Sequence, residues 1–241
     1  MIHSVNNGHM KTLALTQDKQ ARLTQLIDAA TDVFARRGYR QAAMADIANK
    51  MRVAPGTVYL YAASKEALFD LAVRWHLGFV DLASLQLPVQ SPGIETTLAF
   101  LTERLDAASF VPQLATALSE PSPADVSHEL HSILAEYYDV MRNYRAAIRL
   151  IEQSSVDWPE LESLFFTKLR QGIFDLMTRY IEMRCAAGLF RPVPNSSATA
   201  RFLNESMAWF AMRMPGDRYT TFTETEGRAV CLDLLSRALL P

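Results

Sequence analysis

Apolar residues recur along this chain at three- and four-residue steps and almost nowhere at two. Leu23, Leu26, Ile27, Ala30 and Phe34 fall on one helical face, a stripe that needs a partner to bury it. Arg36 and Arg37 stand in the last turn before Gly38, which suits a helix stop because glycine adopts positive φ freely. A short helix is predicted from about Met44 to Met51, with Ile47, Ala48 and Met51 on one side. Arg52-Val53-Ala54 reads as a tight turn. Pro55, tolerated at a first helical position, opens another short helix that ends near Tyr61. Ser64 caps a longer helix carrying Leu68, Leu71, Ala72 and Trp75. Pro88 to Gly93 reads as a break. Further helices are predicted at roughly 94–108, 124–142, 144–154, 160–187, 198–214 and 224–239, the last opened by a capping box of Thr223 and Glu226. The fold class is therefore all-α, with nine or ten helices and no internal repeat.

Two short helices joined by a three-residue turn and braced by a longer helix form a helix-turn-helix. Its second helix must protrude far enough to enter a major groove about 12 Å wide, while the preceding helices bury its back. Ile47, Ala48, Val53 and Val58 are suited to that back, and Thr57, Tyr59 and Tyr61 project elsewhere. Hydroxyls there donate to phosphates, and tyrosine rings reach sugars and thymine methyls. A buried aromatic role for Tyr59 remains the alternative.

Composition sharpens this picture. With 241 residues, about half of them apolar, the chain can bury one large core or join a small domain to a larger one. Residues 1–75 carry ten Lys/Arg against six Asp/Glu, and residues 76–241 carry fourteen against twenty. A basic start with an acidic remainder suits a chain that offers one end to a polyanion. Two distant cysteines, Cys185 and Cys231, make no disulfide framework and fit a reducing cytosol. No secretory signal and no apolar run of about 18 residues is visible, so a cytoplasmic protein without a membrane span is expected. Residues 1–15 are expected to be a flexible segment, 16–63 a DNA-binding domain and 64–241 a larger helical domain.

Residues 22–71 resemble the N-terminal domain of TetR/AcrR-type transcriptional regulators. The resemblance rests on Ala30 with Phe34, Gly38-Tyr39, Asp46-Ile47-Ala48, Val53, Gly56-Thr57-Val58-Tyr59, Tyr61 and Ser64-Lys65-Glu66-Ala67-Leu68, in order and at the right spacing. It implies that Pro55, Gly56 and Thr57 open the recognition helix and face base edges, that Tyr59 and Tyr61 touch backbone or thymine, and that Lys65 holds a phosphate at the start of the fourth helix. The chain departs from the pattern at four places. Ala42-Ala43 stands where a threonine pair is usual, which removes a cap. Arg52 replaces the turn glycine; a left-handed arginine there is strained by about 1–2 kcal/mol, and its side chain is within reach of a phosphate. Ala62 replaces a phenylalanine, leaving volume for another group to fill.

Beyond residue 75 the resemblance is architectural. In 198–214, Ala200, Leu203, Met207, Phe210 and Met214 form one stripe while Phe202 and Trp209 point away. In 224–239, Val230 and Leu234 make one face and Leu232, Leu235 and Leu239 another. Helices apolar on two faces need two neighbours, and the resemblance implies a homodimer through these two helices. It also implies an effector pocket in the middle helices. The candidates are Phe100, Arg104, Tyr137, Tyr138, Met141, Tyr144, Arg145, Ile148, Glu152, Trp158, Phe165, Phe166, Leu169 and Met177. Aromatics mixed with a few charges suit a small-molecule cavity, and equally an ordinary core. Arg145, Arg149 and Glu152 also have the spacing of surface ion pairs. His128 and His131 lack a third ligand, so no metal or other cofactor is expected. No Walker loop, Gly-x-Ser-x-Gly, His-Glu-x-x-His or dinucleotide fingerprint marks an enzyme. The expected function is a ligand-responsive repressor that a small, largely apolar effector releases from a palindromic double-stranded DNA operator. The alternative is a helix-turn-helix protein that binds a protein partner or ligand without specific DNA binding.

Overall fold

A computed structural model describes residues 14–120 and 122–241. The segment expected to be flexible lies, but for its last two residues, outside that range. Twelve helices and no strand occur among the described residues. The four N-terminal helices are α1 (Gln17–Gln41), α2 (Met44–Met51), α3 (Pro55–Tyr59) and α4 (Lys65–His76). Then come α5 (Ile94–Arg104), α6 (Ala107–Phe110), α7 (Pro112–Ser119), α8 (Val126–Asn143) and α9 (Arg145–Ser155). Helix α10 is continuous through Pro159–Glu162, a π-helical Ser163–Arg170 and Gln171–Ala186. Helix α11 runs through Ser196–Ala208, a π-helical Trp209–Arg213 and a 3₁₀ turn, Met214–Gly216; α12 spans Glu224–Leu239. The count exceeds the nine or ten predicted because α6 and α7 are too short for periodicity to register.

The apolar stripe of α1 is buried from Leu23 to Phe34 between α4 and α9. Gly38 breaks the helix at φ 74° and ψ 166°. A Cβ at Gly38 would lie 2.9 Å from the Gln153 carbonyl oxygen, so the close approach of α1 to α9 also requires glycine. Ser64 caps α4 by accepting the Ala67 N–H at 3.1 Å, and Thr223 and Glu226 form the predicted capping box of α12.

Phe34, Tyr39, Phe69 and Trp158 form one aromatic cluster, with Tyr39 and Phe69 centroids 4.9 Å apart and Tyr39 5.2 Å from Trp158. Trp158 stands at the start of α10, so the cluster ties the N-terminal helices to the rest of the core. Elsewhere in the core, the fully buried Arg184 of α10 clamps α8 and the end of α7. Its guanidinium binds both Glu129 carboxylate oxygens, at 2.9 and 2.8 Å, and the Ala117 and Glu120 carbonyls. Contacts from Nε and Nη2 to one carboxylate, and from Nη2 to two main-chain carbonyls, offset the cost of burying the charge.

Between α4 and α5 the chain forms a strap rather than a simple break. It makes one 3₁₀ turn at Leu82–Ser84 and then returns to the end of α3. There the Ala63 N–H donates to Val89 O at 2.9 Å and the Val89 N–H to Tyr61 O at 2.8 Å. Ala62, fully buried, pairs with Val89 in an isolated parallel bridge. Ala62, the residue in place of the phenylalanine, is thus enclosed where the strap pairs with its neighbours.

Candidate nucleic-acid interface and adjoining cavity

Helices α2 and α3 meet through the turn at Arg52, which is left-handed at φ 57° and ψ 45°. The turn is held by the Arg52 N–H on Asn49 O at 3.1 Å and the Val53 N–H on Ala48 O at 3.0 Å. Ile47, Ala48 and Val58 are buried and Val53 is partly so, and together they form the back of α3. The opposite side is open. Arg52, Pro55 and Gly56 are exposed, Tyr59 is 48% exposed, and Thr57 and Tyr61 are half-buried. Tyr59 is therefore not a core aromatic.

The missing threonine cap of α2 is partly replaced. Ala43 has no side-chain oxygen to offer, but Asp46 accepts the Ala43 N–H at 3.0 Å and pairs with Arg37 at 2.8 Å. Lys65 has a structural task beyond the one predicted. Its ammonium donates to Arg40 O at 3.2 Å and Ala42 O at 3.0 Å, and it lies 4.6 Å from the Tyr39 ring centroid. Partial burial lowers its pKa, and Glu66 opposes that shift. Burial, with Glu66 nearby, raises the Tyr39 phenol to about 12.

A cavity of about 1010 Å³ lies behind this bundle. Tyr137 and Met141 of α8, Ile148, Glu152 and Gln153 of α9, Phe165, Phe166, Leu169 and Arg170 of α10, and Asn204, Trp209, Met212 and Arg213 of α11 line it. Both π-helical segments contribute walls, and such segments recur at functional sites because the wider turn redirects side chains. The Tyr137 hydroxyl donates to the Asn204 side-chain oxygen, and burial holds the phenol well above its usual range. Ala35 of α1 also reaches the wall, so the cavity touches a helix of the DNA-binding bundle directly.

Of the residues predicted for a pocket, Tyr137, Met141, Ile148, Glu152, Phe165, Phe166 and Leu169 come together here. The others are placed elsewhere. Phe100 and Arg104 pack with Phe79 in the α5–strap cluster, the Arg104 guanidinium 4.8 Å from the Phe79 ring centroid. Tyr144 sits beside Phe110, with centroids 5.9 Å apart, and only Phe110 lines the cavity. Arg145 joins α9 to the last two helices, donating to Ala211 O and to Glu224, each at 2.7 Å. Trp158 belongs to the aromatic cluster described above, and Met177 is ordinary core. Tyr138 is buried outside the lining. Ala35, Asn204, Trp209 and Arg213 were missed. Residues on α1 and α11 had other expected tasks, and alanine carries no chemical signal of a wall.

The C-terminal helices divide as their patterns predict. Ala200, Leu203, Met207, Leu232, Leu235 and Leu239 are buried, whereas Phe202 and Leu234 remain 63% and 61% exposed and Trp209 and Val230 are exposed with them. Among the described residues no cluster of His, Cys, Asp or Glu is arranged for a metal, and no helix is long and apolar enough to cross a membrane.

A buried-backed α3 presented by a left-handed turn is the signature of a helix-turn-helix DNA-binding regulator. Residues 26–72 match the family model described as bacterial regulatory proteins, tetR family. The HTH-type transcriptional repressor KstR2 of Rhodococcus jostii (strain RHA1) is 28% identical over 211 residues, covering 86% of this chain and 87% of the relative. The fatty acid metabolism regulator protein of Bacillus subtilis (strain 168) is 44% identical over 62 residues, 26% of this chain and 32% of the relative. In fold the chain is similar to the ketosteroid transcriptional regulator KstR2 of Mycobacterium tuberculosis, with a TM-score of 0.55 at 15% identity over 95% of this chain and 98% of that one. Residues 26–72 thus match the N-terminal region of the tetR family, and over most of its length the chain is similar to a DNA-binding transcriptional repressor.

Proposed function

We propose that this regulator is a cytoplasmic repressor that binds a palindromic operator as a homodimer and is released when a small, largely apolar effector fills the cavity. The observation that carries the reading is that the cavity adjoins α1, the helix that braces α2 and α3. Occupancy of the cavity and the placing of α3 then share one element. Residues 16–63 serve as the DNA-binding part and 64–241 as the effector and dimer part. Pro55, Gly56 and Thr57 face bases, Tyr59 and Tyr61 face backbone or thymine, and Arg52 and Lys65 face phosphates. The exposed Phe202, Trp209, Val230 and Leu234 form the face that pairs α11 and α12 with a second copy.

One experiment tests the core of this. Footprinting on the upstream region of the protein's own gene should show two symmetric half-sites with centres about 34–36 Å apart, or a multiple of one DNA turn. Protection of a single half-site by a monomer contradicts the dimeric reading. Binding of equal strength to every sequence supports the alternative of a helix-turn-helix protein with no operator.

A further inference from the structure

We propose that the cavity takes an amphiphile with an anionic head group, held by Arg149 and Arg213 over an apolar body. This rests on the reading of the cavity as the effector site. The warrant is the pairing of the charges on its walls. Three carboxylates line it, and each is engaged. Glu205 accepts from Arg170 at 2.8 Å and from Arg201 at 2.9 Å, and Glu152 lies 4.0 Å from Arg170. Asp217 accepts the Tyr219 N–H at 3.0 Å and the Thr220 hydroxyl at 3.3 Å.

The arginines differ. Arg170 shares its charge with two glutamates, whereas Arg149 and Arg213 have no carboxylate within 4.0 Å among the described residues. Both reach solvent while lining the cavity, so they stand at its mouth. Deeper in, Met141, Phe165, Phe166, Leu169 and Ile173 offer apolar wall. A neutral apolar effector would leave both guanidiniums to water alone. A carboxylate, sulfonate or phosphate on the same body would receive charge-assisted and bidentate bonds that arginine makes and lysine makes less well.

Two dyes that share an aromatic body and differ in the anion separate head from body: 1-anilinonaphthalene-8-sulfonate and the neutral N-phenyl-1-naphthylamine. Each is titrated by fluorescence into the full-length protein. The sulfonate should bind more tightly than the neutral dye and lose that advantage at high salt. Arg149→Gln and Arg213→Gln should each weaken the sulfonate by about tenfold, the worth of one charge-assisted bond, and leave the neutral dye unchanged. Arg149→Lys should recover part of the loss. Equal losses for both dyes, or no loss for the sulfonate, overturn the proposal. Displacement of the sulfonate dye by millimolar inorganic phosphate overturns the amphiphile in favour of a bare anion site. A further variant, Leu169→Trp, fills the apolar wall; if it leaves both dyes unaffected, the cavity is not a ligand site at all and the underlying functional reading fails with it.

Discussion

Arg52 stands at positive φ in the one turn that positions the recognition helix, and only glycine is free of a Cβ clash there. Its turn has not shifted to suit arginine: φ 57° and ψ 45° are the left-handed geometry a glycine would adopt. The strain is of order 1–2 kcal/mol, and glycine would return part of that through a more flexible unfolded chain, so Arg52→Gly should be between neutral and about 1 kcal/mol more stable. The exposed guanidinium has no carboxylate near it among the described residues and faces outward beside α3. The same variant should therefore bind operator more weakly, with the salt slope reduced by about 0.9, the value for one phosphate. Unchanged melting with unchanged salt slope would make Arg52 a neutral surface residue. A second residue sets a pH limit. His76 of α4 has Nε2 2.8 Å from Thr31 Oγ1, and that hydroxyl already donates to Ile27 O at 2.8 Å. The ring must then donate through Nε2–H. Burial lowers the His76 pKa below its ordinary 6.5, and Asp28 opposes the shift only partly. The folded protein therefore protonates this ring less readily than the unfolded chain does. Stability from this site is complete above about pH 6.5 and is lost as pH falls through the lower folded value. Thermal melts between pH 7.5 and 5 should show a loss in the wild type that His76→Gln reduces.

At the scale of elements, the strap shows why one departure from the family pattern is tolerated. Ala62 is small, and main chain at Val89 fits against it with two hydrogen bonds to Tyr61 and Ala63. Ala62→Phe, a return to the commoner residue, should overpack this site by about 1–3 kcal/mol rather than stabilise it. The loss should appear as a lower melting temperature and faster amide exchange at Ala63 and Val89. A more stable variant would mean that the strap gives way easily. None of this was legible from the chain alone. Val89 of the strap pairs with Tyr61 and Ala63, just beyond α3, through main-chain groups, which leave no side-chain pattern, so Pro88 to Gly93 read only as a break. Side-chain periodicity fared better, because burial acts on it directly. The stripe from Leu23 to Phe34, the cap at Ser64 and the two faces of α11 and α12 were all visible before the fold. The cavity was legible in part. Tyr137, Met141 and Phe166 were found by their chemistry, but Trp158 and Arg145 have the same chemistry and serve as an aromatic anchor and an interhelical ion pair. Residue type suggests a wall; only the packing of α1 and α11 decides which wall.

Across the whole molecule, the path from cavity to DNA is short. Helix α9 lines the cavity with Ile148, Glu152 and Gln153, and at Gln153 its backbone meets Gly38, where α1 bends toward α2. The Gln41 side chain reaches Asp157 just beyond α9 at 3.2 Å. Interiors as closely packed as this pass on displacements instead of absorbing them. A ligand that presses on Ala35 therefore acts on the DNA-binding bundle without an intermediary, whereas one confined to Phe166 and Met212 acts through α9 or through Trp158 of α10. A side chain can take the place of such a ligand. Ala35→Leu extends into the cavity from α1 and should lower operator affinity by about tenfold with no ligand present, a shift of about 1.4 kcal/mol. Linkage supplies the control. In the wild type, operator DNA must weaken dye binding by the same factor by which the dye weakens operator binding. In Ala35→Leu, where the bundle is already displaced, that factor should shrink toward one. Gel shifts with and without the neutral naphthylamine dye measure both quantities. If Ala35→Leu binds operator as the wild type does while the reciprocal factor persists, the coupling runs through α9 or the Trp158 cluster and the contact at Ala35 is incidental.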